Sequence, residues 1–278
     1  MNTDIKLVAL DLDRTTLNSE SHLSEVNRQA LIDAISNGVH VCIASGRAFD
    51  TLPEDIISVP GIEYAITSNG AAIYRIAGKE CLKSYLLTPS SVKTILNLTA
   101  NDTVTYEAFI KGQAFASTEY IRHPEKYGAT EHSLAYVKKT RILKDDIKGF
   151  ILEHCHELDS LDIVVGDEEL KKNIMDRIRK ATDEVYMTSS ISQLLEISYK
   201  DAGKKSGVSF LTEYLGLSRE NVAAFGDADN DTDMIEYAGT GIAMENAAPH
   251  LKQIADHITL HHDKDGVAYA FRNILNIC

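Results

Sequence analysis

Four short polar clusters of this chain carry side chains that could do chemistry. They are, in chain order, Asp11 with Asp13, residues 45–47, Lys204, and residues 227–231. Together they supply carboxylates, a hydroxyl, an ammonium group and free backbone N–H donors. Such a set suits a hard divalent cation together with an anionic oxygen ligand. The sequence therefore predicts phosphoryl chemistry.

A phosphate monoester dianion repels an attacking carboxylate, so a Mg²⁺ ion and a lysine must neutralise it first. We expect Asp11 to attack phosphorus and form an aspartyl-phosphate, and Asp13 to protonate the leaving alkoxide and then activate water. Ser45 and nearby N–H groups would hold the phosphoryl oxygens, and Lys204 would bridge phosphate and nucleophile. Each motif alone is a weak signal. Their occurrence together, in this order, carries the prediction.

Each cluster follows a predicted strand or opens the helix after one. The apolar runs at 6–10 and 39–44 indicate buried strands that end at Asp11 and Ser45, and a helix capped by Ser24 lies between them. Strand, helix and strand in this order imply a parallel sheet. The carboxyl ends of neighbouring strands converge at the switch point of such a sheet, so we expect a single site there.

The pattern changes along the chain and indicates two domains. A short helix over 48–57 and a strand at 64–67 extend the first sheet, and extended runs around Ala77 and Gly78 predict a hairpin. The parallel-sheet pattern returns after Glu196. We predict an α/β fold: a doubly wound, Rossmann-like core formed by 1–85 and 190–278, with an inserted α+β domain at 86–189. The segment 123–139 gives no clear pattern.

Composition excludes several classes of function. The chain has 278 residues, of which 44% are hydrophobic and 25% charged, as in ordinary globular proteins. Its net charge of −13 and the lack of a basic patch argue against nucleic acid. It has no apolar run of about 18 residues, and an acid stands in its first six residues. We therefore expect no membrane segment, a cytoplasmic location and reduced cysteines.

The motifs resemble those of a known superfamily. DLDRTT at 11–16 resembles the first motif of the haloacid dehalogenase superfamily, and ASGR at 44–47 its second. The lysine in DAGKKSG is similar to its third motif and GDADNDTDM at 226–234 to its fourth. ITSNGA, IAMENA and DKDGVA are similar to the Cof-type branch with a type IIB cap.

The resemblance implies a role for each matching position. Asp11 matches the nucleophile and a Mg²⁺ ligand, and Asp13 matches the general acid/base, whose main-chain carbonyl also reaches the metal. Asp227 matches the third protein ligand of Mg²⁺, and Asp231 supports the metal and the lysine. The segment 86–189 falls where the cap closes over the substrate. The phosphate or substrate contacts expected are Leu12, through its backbone, Ser45, Gly46, Arg47, Asn69, Lys204 and Asn230.

A few positions depart from the family pattern or allow two interpretations. Arg14 stands where the family usually has Gly, and its side chain could contact substrate or point to solvent. Asn69 with Gly70 is either an ordinary turn or brings a side chain to the phosphate pocket. His261 and His262 are expected at the surface.

The function predicted first is a Mg²⁺-dependent phosphatase that hydrolyses small phosphorylated metabolites, with sugar phosphates as the first guess. A phosphomutase would use the same chemistry, and turnover without a bisphosphate activator would separate the two. A module that only senses a phosphorylated ligand is disfavoured, because Asp13 is present although binding alone would not require it. A receiver domain fails on length and on the position of the acid, and a P-type pump fails on the missing membrane segments.

Overall fold

Two β-sheets form the framework in a computed structural model that describes residues 4–278, apart from the side chain of His132. The strands are β1 (Leu7–Leu10), β2 (His40–Ala44), β3 (Tyr64–Thr67), β4 (Ala72–Arg75), β5 (Glu80–Ser84), β6 (Thr105–Ile110), β7 (Gln113–Ser117), β8 (Ile142–Lys144), β9 (Ser160–Val164), β10 (Val185–Thr188), β11 (Leu194–Tyr199), β12 (Val222–Gly226), β13 (Thr240–Ala243) and β14 (His257–Ile258).

Helices alternate with these strands along most of the chain. They are α1 (Glu25–Ser36), α2 (Glu54–Ile57), α3 (Pro89–Leu98), α4 (Thr118–Arg122), α5 (Glu131–Thr140), α6 (Ile147–Glu153), α7 (Glu168–Ala181), α8 (Lys204–Tyr214), α9 (Thr232–Tyr237), α10 (Pro249–Ile254) and α11 (Gly266–Ala270). Within the described residues, none of them combines the length and apolar character that a bilayer crossing requires.

The first sheet has eight strands in the order β14-β13-β12-β1-β2-β3-β4-β5. All pairs from β14 to β3 are parallel, whereas β4 is antiparallel to β3. The chain runs outward from β1 to β2 and β3, and later from β12 to β13 and β14 on the other side. The direction of winding therefore reverses beside β1, and the carboxyl ends of β1 and β12 flank the crevice in which sheets of this kind bind ligands. This confirms the predicted α/β fold.

The second sheet has six strands in the order β10-β11-β9-β6-β7-β8, and its pairs are antiparallel except for β7 with β8. Alternate residues of β6, β9 and β11 pack into one apolar core with α3, α6 and α7. The intervening positions of the same strands include three buried acids, Glu107, Asp162 and Glu196. One face of this sheet is therefore a hydrophobic core and the other carries buried charge.

The chain divides into two compact units. The first contains residues 1–47, 52–83 and 203–278, and the second contains 48–51 and 84–202. The inserted domain of the sequence analysis, 86–189, stops before β11, whereas the second unit continues through that strand because β11 pairs with β9 and β10. The function of the second unit as a cap stays a prediction.

Two helices expected from the sequence near the site can be compared with the structure. The Ser24 side chain accepts from the N–H of Asn27 and caps α1, as the sequence indicates. The helix expected over 48–57 is divided into a 3₁₀ turn, Phe49–Thr51, and the short α2. Pro53 stands between them, and its ring removes the N–H that a continuous helix needs.

Candidate active site

Asp11 directly follows β1 at the switch point and is buried. Its backbone N–H donates to the carbonyl of Phe225 on β12 at 3.1 Å, and its own carbonyl accepts from the Thr16 hydroxyl at 2.6 Å. The segment Leu12–Thr16 forms a tight turn in which Arg14 has φ 61. These contacts fix the backbone that carries the predicted nucleophile.

Lys204 is the first residue of α8 and has no exposed surface. Its Nζ donates to Oδ1 of Asp11 at 2.7 Å and to Oδ1 of Asp231 at 2.6 Å. The start of α8 lies close to the loop after β3, where a Cβ added to Gly70 would come within 1.9 Å of the Gly203 carbonyl oxygen. Only glycine at position 70 permits this approach. The structure thus brings together a lysine and two acids that are far apart in sequence.

Asp231 is held from two directions. Its Oδ2 accepts from the backbone N–H groups of Asp227 at 2.9 Å and Ala228 at 3.0 Å, while its Oδ1 accepts from Lys204. The loop after β12 therefore folds back on its own carboxylate. This arrangement orients Asp231 and, through Lys204, also orients Asp11.

Asp227 has three neighbours that carry polar or positive groups. The Thr15 hydroxyl donates to its Oδ1 at 3.2 Å, Nδ2 of Asn246 donates to its Oδ2 at 3.5 Å, and Nε of Arg14 lies 3.8 Å from the same oxygen. Thr15 and Asn246 were not among the predicted site residues. Thr15 lies within DLDRTT and Asn246 within IAMENA, but neither motif by itself indicates which of its side chains contacts Asp227.

The buried acids outweigh the buried cation. Burial raises the pKa of Asp11 well above its usual value, and Asp231 raises it further, against the effect of Lys204. Burial, followed by Asp231, raises the pKa of Asp227 to about 7, although Arg14 and Lys204 oppose the rise. The pKa of Lys204 is itself raised, because Asp11 and Asp231 outweigh the opposing effect of burial. The protein alone does not balance this negative charge.

The carboxylates of Asp11, Asp227 and Asp231 each place an oxygen within 4.8 Å of the others, and all three residues are buried. Hard oxygen ligands at this density suit Mg²⁺, and a divalent cation would supply the missing positive charge. The residues present therefore fit a magnesium ion. Asp13 is not part of this cluster; its side chain points elsewhere.

Asp13 pairs with Arg47. Nε of Arg47 donates to Oδ2 of Asp13 at 2.9 Å and Nη2 donates to Oδ1 at 2.6 Å, so the pair is bidentate. The Asp13 side chain is 52% exposed. Ser45 is buried after β2, and its hydroxyl accepts from the Arg47 N–H at 3.2 Å. Gly46, between them, is partly exposed.

Asn69 connects three of the clusters. Its N–H donates to the carbonyl of Ser45 at 3.1 Å, and its own carbonyl accepts from the Gly203 N–H at 2.9 Å. Its Oδ1 accepts from Nδ2 of Asn230 at 3.0 Å. Asn69 lies in a left-handed turn with φ 51, as the turn interpretation expects, and its contact with a phosphate stays a prediction. Leu12, beside Asp11, is fully buried.

His262 corrects an expectation, because it is 5% exposed rather than on the surface. Its Nδ1 lies 3.0 Å from the Leu17 carbonyl, and its N–H donates to Oδ1 of Asn246 at 3.1 Å. These partners are distant in sequence, so no local pattern could indicate them. His261, His262 and Asp263 also bring ligand atoms together. The Asp263 carboxylate, however, already accepts the Ser19 N–H and hydroxyl.

Comparisons with known proteins identify the family of this chain. A family model for haloacid dehalogenase-like hydrolases matches residues 8–271. The chain is 30% identical over 272 residues to the 5-amino-6-(5-phospho-D-ribitylamino)uracil phosphatase YcsE of Bacillus subtilis, and the match covers 98% of this chain and 96% of that protein.

Solved structures share the fold. A haloacid dehalogenase-like hydrolase from B. subtilis has a TM-score of 0.82 and 26% identity, with 98% of this chain and 100% of that chain covered. A haloacid dehalogenase subclass IIB sugar phosphatase has a TM-score of 0.83 at 20% identity, with 98% and 100% covered. The second likeness is one of fold alone.

Proposed function

Because this chain belongs to the haloacid dehalogenase-like hydrolase family and is a phosphatase, we propose that it uses Mg²⁺ to hydrolyse small phosphorylated metabolites through an aspartyl-phosphate on Asp11. The observation that carries the proposal is the position of Lys204, whose Nζ joins Asp11 to Asp231 at 2.7 and 2.6 Å. Sugar phosphates are the first substrates to examine. The name of the B. subtilis relative specifies a phosphate on a ribityl chain, which belongs to the same broad class.

In the first step, a carboxylate oxygen of Asp11 attacks phosphorus and the ester oxygen leaves. Lys204 keeps its proton, since its pKa is raised, and its ammonium group offsets the negative charge that gathers as the carboxylate and the phosphate approach. Burial of both groups strengthens this interaction, because water does not screen it. Hydrolysis of the aspartyl-phosphate then regenerates Asp11.

Asp13 would protonate the leaving oxygen and then accept a proton from water. Its bidentate partner Arg47 has to release it for this work. Two oxygens of a phosphate offer a guanidinium the same bidentate geometry as the two oxygens of a carboxylate. We therefore propose that Arg47 exchanges Asp13 for the substrate phosphate when substrate binds, which frees Asp13 at the moment it is needed.

The metal would be held by Asp11, Asp227 and Asp231 together with the main-chain carbonyl of Asp13. Bound there, Mg²⁺ would offset the negative charge of the acids and the phosphate, and it would help to orient the phosphate for attack by Asp11. Phosphate contacts would come from Ser45, Gly46, Asn230 and the backbone of Leu12, with Asn69 holding Asn230 in place.

The test is a screen of phosphorylated metabolites for release of inorganic phosphate, comparing the natural chain with Asp11→Asn. We expect Mg²⁺-dependent release that EDTA abolishes, and a loss of at least about 10⁴-fold in kcat for Asp11→Asn. Asp229→Asn is the matched control, because Asp229 lies in the same loop as Asp231 but is exposed. We expect turnover without a bisphosphate activator, which distinguishes a phosphatase from a phosphomutase. An Asp11→Asn variant with full activity would exclude the covalent mechanism.

A further inference from the structure

Arg14 occupies a backbone conformation that favours glycine. Its φ is 61 and its ψ 16, in the turn directly after Asp11 and Asp13. A non-glycine residue in this left-handed region costs about 1 kcal/mol. Nδ2 of Asn246 donates to the Arg14 carbonyl at 2.8 Å and secures the turn. An unfavourable backbone retained beside a reactive group directs attention to the side chain that it presents.

The Arg14 guanidinium differs from the other two cations around the site. Lys204 is fully buried between two acids, and the Arg47 side chain is 13% exposed and donates twice to Asp13. The Arg14 side chain is 67% exposed, and its Nε lies 3.8 Å from Oδ2 of Asp227. Across residues 4–278, the Arg14 guanidinium donates no hydrogen bond. Within that range, its five N–H groups therefore interact only with the Asp227 carboxylate at this longer distance.

Asp227 is also one of the three acids that fit a divalent cation. A cation held by Asp227 would take up the negative charge that now attracts Arg14 and would repel the guanidinium. Arg14 would then face the solvent side of the site without an anionic partner. A planar guanidinium in this state matches the two oxygens of a carboxylate or a phosphate.

We propose that Arg14 is a specificity-determining residue that binds a second anionic group of the substrate, in addition to the phosphate that is cleaved. The inference rests on the proposed function and narrows it to phosphate monoesters that carry a carboxylate or a second phosphate. The shared chemistry is a pair of anionic oxygens at the far end of a small metabolite.

The experiment compares substrates that differ by that group. Glycerol 3-phosphate is matched with 3-phosphoglycerate, and fructose 6-phosphate with fructose 1,6-bisphosphate, so that the carboxylate and the second phosphate are examined separately. In Arg14→Gly, we expect the kcat/KM ratio of at least one doubly anionic substrate to its partner to fall about ten- to a hundredfold, mainly through KM. Arg14→Lys should retain part of the preference. A ratio that stays within twofold for both pairs would overturn the inference.

Arg14→Gly removes the guanidinium without disturbing the turn, because glycine adopts the same backbone conformation without strain. The variant should therefore fold. Lys79→Gly is the matched control. Lys79 is also a basic residue with positive φ, at 51, and it lies outside the four motifs that form the site. This control should leave both substrate ratios as they are, and a parallel fall in Lys79→Gly would overturn the assignment of the preference to the Arg14 side chain.

Two binding measurements separate this inference from the proposed function. Calorimetry of Mg²⁺ with the natural chain and with Arg14→Gly should show about three- to tenfold tighter binding in the variant, since a competing cation has been removed. In an Asp11→Asn background, at least one of 3-phosphoglycerate and fructose 1,6-bisphosphate should bind more tightly than its singly anionic partner, and only when Arg14 is present. Absence of phosphate release by the natural chain would refute the proposed function, whereas equal binding within both ligand pairs would refute the role of Arg14.

Discussion

Each compact unit of this protein buries a group of three carboxylates together with one cation, and the two groups are arranged differently. In the first unit Lys204 binds Asp11 and Asp231, with Asp227 beside them. In the second unit the acids are Glu107, Asp162 and Glu196, and the cation is Arg141, whose side chain is 6% exposed. Nε of Arg141 donates to Oε2 of Glu107 at 2.6 Å.

The two groups arise from different parts of a sheet. Asp11 and the acids of the 227–231 loop follow the ends of parallel strands, where their oxygens converge and backbone N–H groups are free to donate. Glu107, Asp162 and Glu196 lie directly opposite one another in the middle of three antiparallel strands. They form a row at the spacing of the strands, about 4.8 Å apart. An equal number of acids thus gives a metal-sized cluster in one unit and a charged row in the other.

The two cations also differ in how many acids they contact. Lys204 bridges two acids with a compact ammonium group. The Arg141 guanidinium lies between the rings of Phe109 and Tyr136, at 5.3 and 5.0 Å from the ring centroids, and pairs with one acid. Buried acids alone therefore do not identify a catalytic site; the convergence of their oxygens on one point does.

The largest effect is expected on removing the cation from the convergent group. Lys204→Met should lower kcat on a chromogenic phosphomonoester by at least about 10³-fold and destabilise the fold by about 3 to 5 kcal/mol, because two buried acids lose their partner. Denaturant unfolding and initial rates measure both. Lys204→Met combined with Asp231→Asn should recover part of the stability but not the activity. Stability equal to that of the natural chain would contradict the charge balance described above.

Arg141→Met should destabilise the protein by a similar or smaller amount, about 3 kcal/mol, because Glu107 loses its partner and two aromatic rings lose a stacked neighbour. Calorimetric Mg²⁺ affinity should stay the same in Arg141→Met, whereas Lys204→Met should change it, because Lys204 contacts two of the acids that fit the cation. Arg141→Met with Glu107→Gln is the compensating control and should restore most of the loss. If Arg141→Met changed Mg²⁺ affinity as strongly as Lys204→Met, the distinction between the two groups would be wrong.

The smallest effect is expected at the centre of the row. Burial, then Glu196 and Glu107, raise the pKa of Asp162 well above its usual value. The folded state therefore binds this proton more tightly than the unfolded state, and stability falls as pH rises above the unfolded value of about 4. Asp162→Asn should make unfolding less sensitive to pH and leave the protein equally stable or about 1 to 2 kcal/mol more stable at pH 7.

Urea unfolding of Asp162→Asn at pH 4.5, 6 and 7.5 measures this effect. The gain over the natural chain should be greatest at the highest pH. Asp145→Asn, at an exposed position in the same unit, should follow the natural chain at every pH. A loss of stability in Asp162→Asn that grows with pH would show that Asp162 is a stabilising anion after all.

Sequence alone determined the parts of this protein that depend on local rules. Buried apolar runs that end in a polar residue, with capped helices between them, define a parallel sheet. Strand ends then place Asp11, Ser45 and Asp227 at one edge, and Lys204 enters that edge with the helix it opens. These features follow from backbone geometry within a few residues.

Only the tertiary structure decided which of those groups meet. The pairing of Arg47 with Asp13, the link from Asn69 to Asn230 and the approach of Arg14 to Asp227 join residues that lie 34, 161 and more than 200 positions apart. The burial of His262 and the membership of β11 in the second sheet were settled in the same way. Such contacts depend on side-chain direction and strand order, which no short stretch of sequence encodes.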